Sequence, residues 1–323
     1  MPCCAPKRCG ATSITTTIDF AVMTQVKRVK RPISGWLVLN KPYDMTSTEA
    51  VGKLRWLFSA RKAGHAGTLD PLATGILPIA FGEATKTVPY VQDGEKLYRF
   101  TLQWGATTTT DDAEGSVLET SEHRPDEAGL RAVLPRFIGI VTQVPPAFSA
   151  LKIDGERAYD LARAGDTVEL APREIEIHGL TLIEHGPETS RFEVACGKGT
   201  YIRALARDIA EALGSKGHVA ALHRAAVGPF KDADAVTLAD VESLTEAERD
   251  KLLQPIAAGL AGIAEIRLDP AQAVIVRHGN PVLLAGAGAP AFLAEAWASC
   301  RGEAVAVGTV EAGQFQPRRV FVP

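Results

Sequence analysis

Gly64-His65-Ala66-Gly67-Thr68-Leu69-Asp70-Pro71-Leu72-Ala73-Thr74-Gly75 sets a single carboxylate, Asp70, in a glycine-punctuated loop immediately ahead of an apolar run. Pro71 fixes its own φ and pushes Asp70 out of the α region, while Gly64, Gly67 and Gly75 permit tight turns and close approach of backbone to another molecule. Asp70 is therefore expected at a rigid corner. Upstream, Thr46 to Lys62 is predicted to be helical, because Thr46 and Glu49 have capping-box spacing and Val51, Leu54, Leu57 and Phe58 share one face. Downstream, Ile76 to Phe81 is predicted to be a short buried strand. An isolated Asp-Pro most often closes a turn or caps a helix. The length of this segment, and what accompanies it along the chain, set it apart.

The accompanying segments are Leu39-Asn40-Lys41-Pro42 with Thr46-Ser47, then Gly82-Glu83-Ala84-Thr85-Lys86, and Tyr98-Arg99-Phe100. Later come Gln143-Val144-Pro145-Pro146 with Ser149-Ala150-Leu151-Lys152, Gly197-Lys198-Gly199-Thr200-Tyr201-Ile202-Arg203, and Leu222-His223-Arg224. In this order, from Ser34 to Phe230, they resemble the TruB family of tRNA pseudouridine synthases, whose Gly-His-x-Gly-x-Leu-Asp-Pro-x-Ala-x-Gly loop carries the catalytic aspartate. The resemblance implies an α+β fold: a catalytic domain built on a mainly antiparallel mixed sheet with flanking helices, followed by a small C-terminal PUA-like β domain. One departure is Asp44, where the family usually has glycine. Asp tolerates the left-handed region better than most side chains, so the turn is expected to survive.

Composition bounds the answer independently. A chain of 323 residues with 46% hydrophobic content can bury one large core plus a smaller module. No apolar stretch reaches bilayer-spanning length and the first twenty residues lack a secretory apolar core, so a cytoplasmic protein is expected. Cys3, Cys4 and Cys9 crowd the N-terminus, leaving Cys196 and Cys300 as expected free thiols. A net charge of −3 excludes a strongly basic protein, so nucleic-acid binding would have to rest on local clusters. Such clusters occur at Lys27 to Arg31, at Arg61-Lys62 beside the Asp70 loop, and at Arg203 with Arg207, while acids gather at Asp111 to Glu114 and from Asp232 to Asp250.

The expected organisation is a flexible tail over 1–32, with Met23 as the expected true start, a catalytic domain over 33–254 and a PUA-like RNA-binding domain over 255–323. Strands are predicted at Trp36 to Leu39, at Tyr98 to Trp104 with Tyr98, Phe100, Leu102 and Trp104 on one face, and at Arg191 to Cys196. A helix is predicted over Thr200 to Leu213, ended by Gly214, with Tyr201 and Arg203 at its first turn. Gln143 to Pro172 is loop-rich with a short helical centre at Tyr159 to Arg163, and the resemblance makes it an RNA-gripping insertion. Glu242 to Leu253 is expected to be helical, and Ala304 to Val310 and Arg319 to Val322 to be closing strands of the C-terminal module.

Uridine isomerisation breaks the N1–C1′ bond, turns the held uracil and joins C5 to C1′, so neither redox cofactor nor metal is required. Three routes are open to an ionised Asp70: addition to C1′, addition to C6, or abstraction of a ribose proton. The resemblance makes Asp70 the catalytic nucleophile, sets Arg203 against it, stacks Tyr98 on the uracil and places Tyr201 to act at C5 or complete the pocket. It also puts His65 in the gap left by the flipped base and Leu222 on the pocket wall. A flipped base costs a few kcal/mol, and one aromatic platform returns roughly 1–3 kcal/mol. Gly197-Lys198-Gly199-Thr200 lacks the upstream glycine of a phosphate loop, since position 192 is Phe, and His218 and His223 lack ligand partners for zinc. The expected partner is the T-stem-loop of tRNA, modified at position 55 by a monomer without guide RNA. A tRNA-folding chaperone and a guide-dependent synthase are the alternatives.

Overall fold

The computed structural model describes residues 1, 29–149, 152–153, 156–157, 170–286 and 288–322. Of the tail expected over 1–32, residues 2–28 lie outside the described residues, as does the predicted helical centre at Tyr159 to Arg163, whereas Arg31 is bound to the body through Ser59 and Asp250. A ten-stranded mixed sheet dominates. Its main path runs Val236–Thr237, Gly35–Lys41, Thr74–Phe81, Gly217–Val227, Lys96–Trp104, Thr189–Cys196, Arg173–His185 and Gly139–Gln143. Neighbours on this path are antiparallel except at two places: Leu39 pairs with Val236, and Thr74 and Gly75 pair with His223 and Arg224.

That second parallel contact joins the two halves of the sheet, and it explains Gly75. With φ at 100°, a Cβ there would lie 2.3 Å from the Arg224 carbonyl oxygen, so only glycine lets the strands meet. Gly67 also needs its positive φ of 98°, whereas Gly64 sits in the Ala63–His65 strand with open space around it. The expectation of a special backbone at all three glycines thus holds at two.

Alternation sorts the strands onto two faces. Leu37, Leu39, Leu77 and Ile79 pack under the Ser47–Leu57 helix, while Trp36, Val38, Ile76 and Ala80 form a second core behind. Phe100, Leu102, Trp104, Phe192 and Val194 build a third core beneath the Ile202–Ala212 helix. The first helix keeps its predicted Thr46–Glu49 capping box but is shorter than predicted, ending at Phe58 because Ser59 turns to φ 50°. The second also contracts, with Tyr201 as its N-cap and Gly214 reversing the chain at φ 67°. Glu242 to Leu253 is not one helix; Leu238–Ser243 and Glu246–Asp250 are separated where Thr245 starts a new capping box.

The C-terminal sheet has five strands in the order Ala264–Arg267, Leu293–Cys300, Glu303–Glu311, Gln314–Val320 and Val282–Leu283, with the Pro270–Arg277 helix packed on it. Phe321 and Val322 lie past the last strand, so the predicted closing strand stops short of them. Leu260, Trp297, Val307 and Phe321 bury against Tyr90 and Ile256, and Lys86 donates to the Val320 carbonyl at 2.8 Å, docking this sheet on the larger body. No helix among the described residues is long and apolar enough to cross a membrane.

Asp44 adopts φ 57°, so the turn expected to tolerate it is left-handed here. Asp44→Gly is expected to leave stability within about 0.5 kcal/mol, because relief of backbone strain is offset by unfolded-chain entropy, whereas Asp44→Val costs about 1–2 kcal/mol. Urea midpoints of the two variants against the parent check this.

Candidate active site

The Asp70 loop is held by its backbone. Ser47, one residue into its helix, donates its hydroxyl to the Leu69 carbonyl at 3.0 Å and accepts the Leu69 N–H at 2.9 Å. Arg224, 2% exposed, donates to the carbonyls of Gly67 at 2.9 Å, Thr68 at 3.2 Å and Ile76 at 2.8 Å. Lys41, fully buried at the end of the first strand, donates to Pro71 at 3.0 Å, Met45 at 2.7 Å and Pro42 at 2.8 Å. Five successive residues, Gly67 to Pro71, are thereby pinned on both sides of the carboxylate, and Ala73 N–H closes a turn on the Asp70 carbonyl.

The Asp70 side chain points from this frame toward the Ile202–Ala212 helix. Arg203 Nε lies 2.9 Å from Asp70 Oδ2, an ion pair whose N–H is not aligned for a hydrogen bond. The guanidinium is 5% exposed and Asp70 is 40% exposed, so the cation is fixed and the anion is open to a ligand. Arg203 is fixed by donating to the Thr110 carbonyl at 2.8 Å and the Phe148 carbonyl at 3.0 Å, with Asp112 Oδ2 at 3.6 Å. Arg207, one turn on, pairs with Asp111 and Asp208. The Arg203–Arg207 cluster is therefore not a phosphate-binding patch as its sequence suggested; its charges are spent on carboxylates. Arg31 is likewise paired, with Asp250 and Glu246.

Beside Asp70 opens a cavity of about 280 Å³ lined by Thr68, Leu69, Tyr98, Tyr201, Arg203 and Leu222, among others. Five of the six candidate residues meet here: Asp70, Tyr98, Tyr201, Arg203 and Leu222. Tyr98 and Leu222 both touch the two cores that flank the seam between the sheet halves. Burial pushes the Tyr98 phenol up from its ordinary value, so it stays neutral. The Tyr201 ring lies under the Arg173 guanidinium, 4.8 Å from its carbon, a cation–π contact. His65 lies outside the lining. Its half-buried ring is held uncharged at neutral pH by burial and then by Arg224, and its Nδ1 has no hydrogen-bond partner.

A larger cavity, about 620 Å³, lies between the two sheets, where Arg61, Lys62 and Arg277 face Ile256 and Phe321. It contains no residue of the Asp70 constellation. The functional residues that sequence reasoning missed are the buried cations. Lys41 and Arg224 lie in quoted motifs, but only their burial distinguishes a loop clamp from a surface charge.

Comparison with known proteins gives a consistent picture. A family model described as TruB family pseudouridylate synthase (N terminal domain) matches residues 55–202, and one described as tRNA pseudouridylate synthase B C-terminal domain matches 203–261. The chain is 53% identical over 299 residues to tRNA pseudouridine synthase B of Sinorhizobium medicae, covering 90% of this chain and 96% of that one. The Chelativorans sp. protein of the same name is 54% identical over 305 residues, covering 91% and 98%. Among solved structures, a Cbf5-Nop10-Gar1 complex matches with a TM-score of 0.71 at 25% identity, covering 90% of this chain and 85% of that one.

Burial lowers the Lys41 ammonium to about 8, against the opposing attraction of Asp70. A lysine depressed on folding binds fewer protons in the native state between its two values. Wild-type stability is therefore expected to rise with pH from about 8 to 10.5 relative to Lys41→Met. Urea midpoints of both proteins across that range check the sign; a parallel pair of curves refutes it.

Proposed function

The chain belongs to the TruB family of pseudouridylate synthases, and on that footing we propose that it isomerises the T-loop uridine at position 55 of tRNA to pseudouridine, starting from Asp70. The observation that carries this reading is the exposed Asp70 carboxylate set against the buried Arg203 at the mouth of a cavity of about 280 Å³. A nucleoside that has left its stack fits such a space, near the lower end of small-ligand pockets. Tyr98 supplies a neutral ring face for the uracil, Leu222 the opposite apolar wall, and Tyr201 completes the site next to C5. Arg203 keeps Asp70 ionised and oriented for addition to C1′ or C6, or for removal of a ribose proton. His65, being uncharged, can fill the gap in the loop without burying a charge.

The proposal extends to the whole chain. Residues 33–254 form the catalytic domain, with the RNA-gripping insertion about 143–172, and 255–323 a PUA-like domain that binds RNA beside it. The protein works in the cytoplasm as a monomer on tRNA and without guide RNA or cofactor. Arg61 and Lys62 adjoin the Asp70 loop along the chain and are exposed, which supports them as phosphate contacts.

Asp70→Asn is expected to bind unmodified tRNA like the parent while losing turnover by several orders of magnitude, because the amide keeps shape and removes the nucleophile or base. Mapping of pseudouridine in treated tRNA, without added guide RNA, checks both site and guide independence; activity within tenfold of wild type overturns the assignment.

A second expectation concerns charge. Log affinity for tRNA falls linearly with log salt, and Arg61→Ala with Lys62→Ala lowers the slope by roughly one to two units without changing which uridine reacts. Filter binding at several salt concentrations measures it, and an unaltered slope removes these residues from the interface.

A further inference from the structure

Gln143 ends the Gly139–Gln143 strand at the edge of the large sheet and is 2% exposed. Its side chain acts as an additional peptide group: Oε1 accepts the Tyr201 N–H at 2.9 Å, and Nε2 donates to the Tyr201 carbonyl at 3.1 Å. One partner is a donor and the other an acceptor, so only one orientation of the amide satisfies both.

Tyr201 needs such a hold. It is the N-cap of the Ile202–Ala212 helix, in extended conformation at φ −102° and ψ 114°, and no side chain caps the helix from this position. Rotation of its peptide would swing the ring out of the cavity and off Arg173. The chain that follows Gln143 continues the same strap. Val144 accepts from Arg207 at 2.8 Å and Phe148 accepts from Arg203 at 3.0 Å through their carbonyls. The segment that starts at Gln143 thus meets this helix three times: by the Gln143 amide at its N-cap, Tyr201, and by backbone carbonyls at Arg203, which faces Asp70, and at Arg207 one turn on.

We propose that Gln143 is a positioning residue for the isomerisation, acting through Tyr201: its amide sets the angle at which the Tyr201 ring meets the base, with little effect on tRNA binding. This rests on the pseudouridine synthase reading. The physical reason is distance sensitivity, since a displacement near 1 Å of a group at the reacting centre costs roughly a hundredfold in rate. Although Gln143 heads the insertion read as gripping RNA, its own amide is uncharged, buried and turned to the Tyr201 peptide, so it offers no cation to a phosphate.

The test uses full-length enzyme and unmodified tRNA in single-turnover assays, with tRNA affinity and melting temperature measured in parallel. Gln143→Met removes both hydrogen bonds at similar volume, and the rate is expected to fall roughly 10- to 100-fold while affinity stays within about threefold. Gln143→Glu keeps an acceptor for the Tyr201 N–H and is expected to fall between parent and Gln143→Met. Combined with Tyr201→Leu, either substitution adds less than about threefold, because the ring it would misplace is gone. Additive losses, a loss of affinity matching the loss of rate, or an unchanged rate each overturn the positioning role. If Gln143→Met does not fold, Gln143→Glu and its combination with Tyr201→Leu decide by the same criteria. A wild-type protein that makes no pseudouridine overturns the functional reading itself, and the positioning role with it.

Discussion

The backbone clamp on Gly67 to Pro71 is the constraint on which the rest of the site depends. Two buried cations and a buried hydroxyl spend their hydrogen bonds on carbonyls of a loop that has few partners of its own. Burying a charge without partners is costly, and each unmet carbonyl in the interior costs about 1–3 kcal/mol. Arg224 and Lys41 therefore gain from the loop what the loop gains from them. The outcome is a carboxylate whose main chain is fixed while its side chain remains open to solvent.

The charge arrangement around Arg203 follows the same logic. A guanidinium this buried needs hydrogen-bond acceptors and opposite charge; the Thr110 and Phe148 carbonyls accept from it, and Asp70 with the nearby Asp112 supplies the charge. Arg207 and Asp111 form a second pair alongside, where burial raises the Asp111 carboxyl and the arginine opposes it. Replacing Asp70 would leave Arg203 with acceptors, so the ion pair is not what keeps the helix in place. What it holds is the direction of the Asp70 carboxylate. Tyr98 and Leu222 complete the geometry because they stand at the seam of the two sheet halves, packed against both cores.

Much of this was legible in the sequence. The Thr46–Glu49 capping box, the alternation from Tyr98 to Trp104 and the Gly75 approach follow from local rules of spacing and sterics, which act within a few residues. Family order carried Asp70, Tyr98, Tyr201, Arg203 and Leu222 to one site, and they meet at one cavity. His65 does not line it. The first helix stops short of its predicted end where a non-glycine residue, Ser59, takes a positive φ, since nothing in its type announces that turn.

By itself the sequence determined most of the elements, the family and the loop that carries Asp70, because propensity, periodicity and motif order are properties of neighbours along the chain. Tertiary structure decided what the charged residues are for. Lys41, Arg203, Arg207 and Arg224 have the same chemistry as Arg61 and Lys62, and only long-range packing separates those buried against carbonyls and carboxylates from those left to solvent. Gln143 was in the same position: an ordinary polar residue on an edge strand, until the fold brought the Tyr201 peptide, 58 positions away, within reach of both ends of its amide.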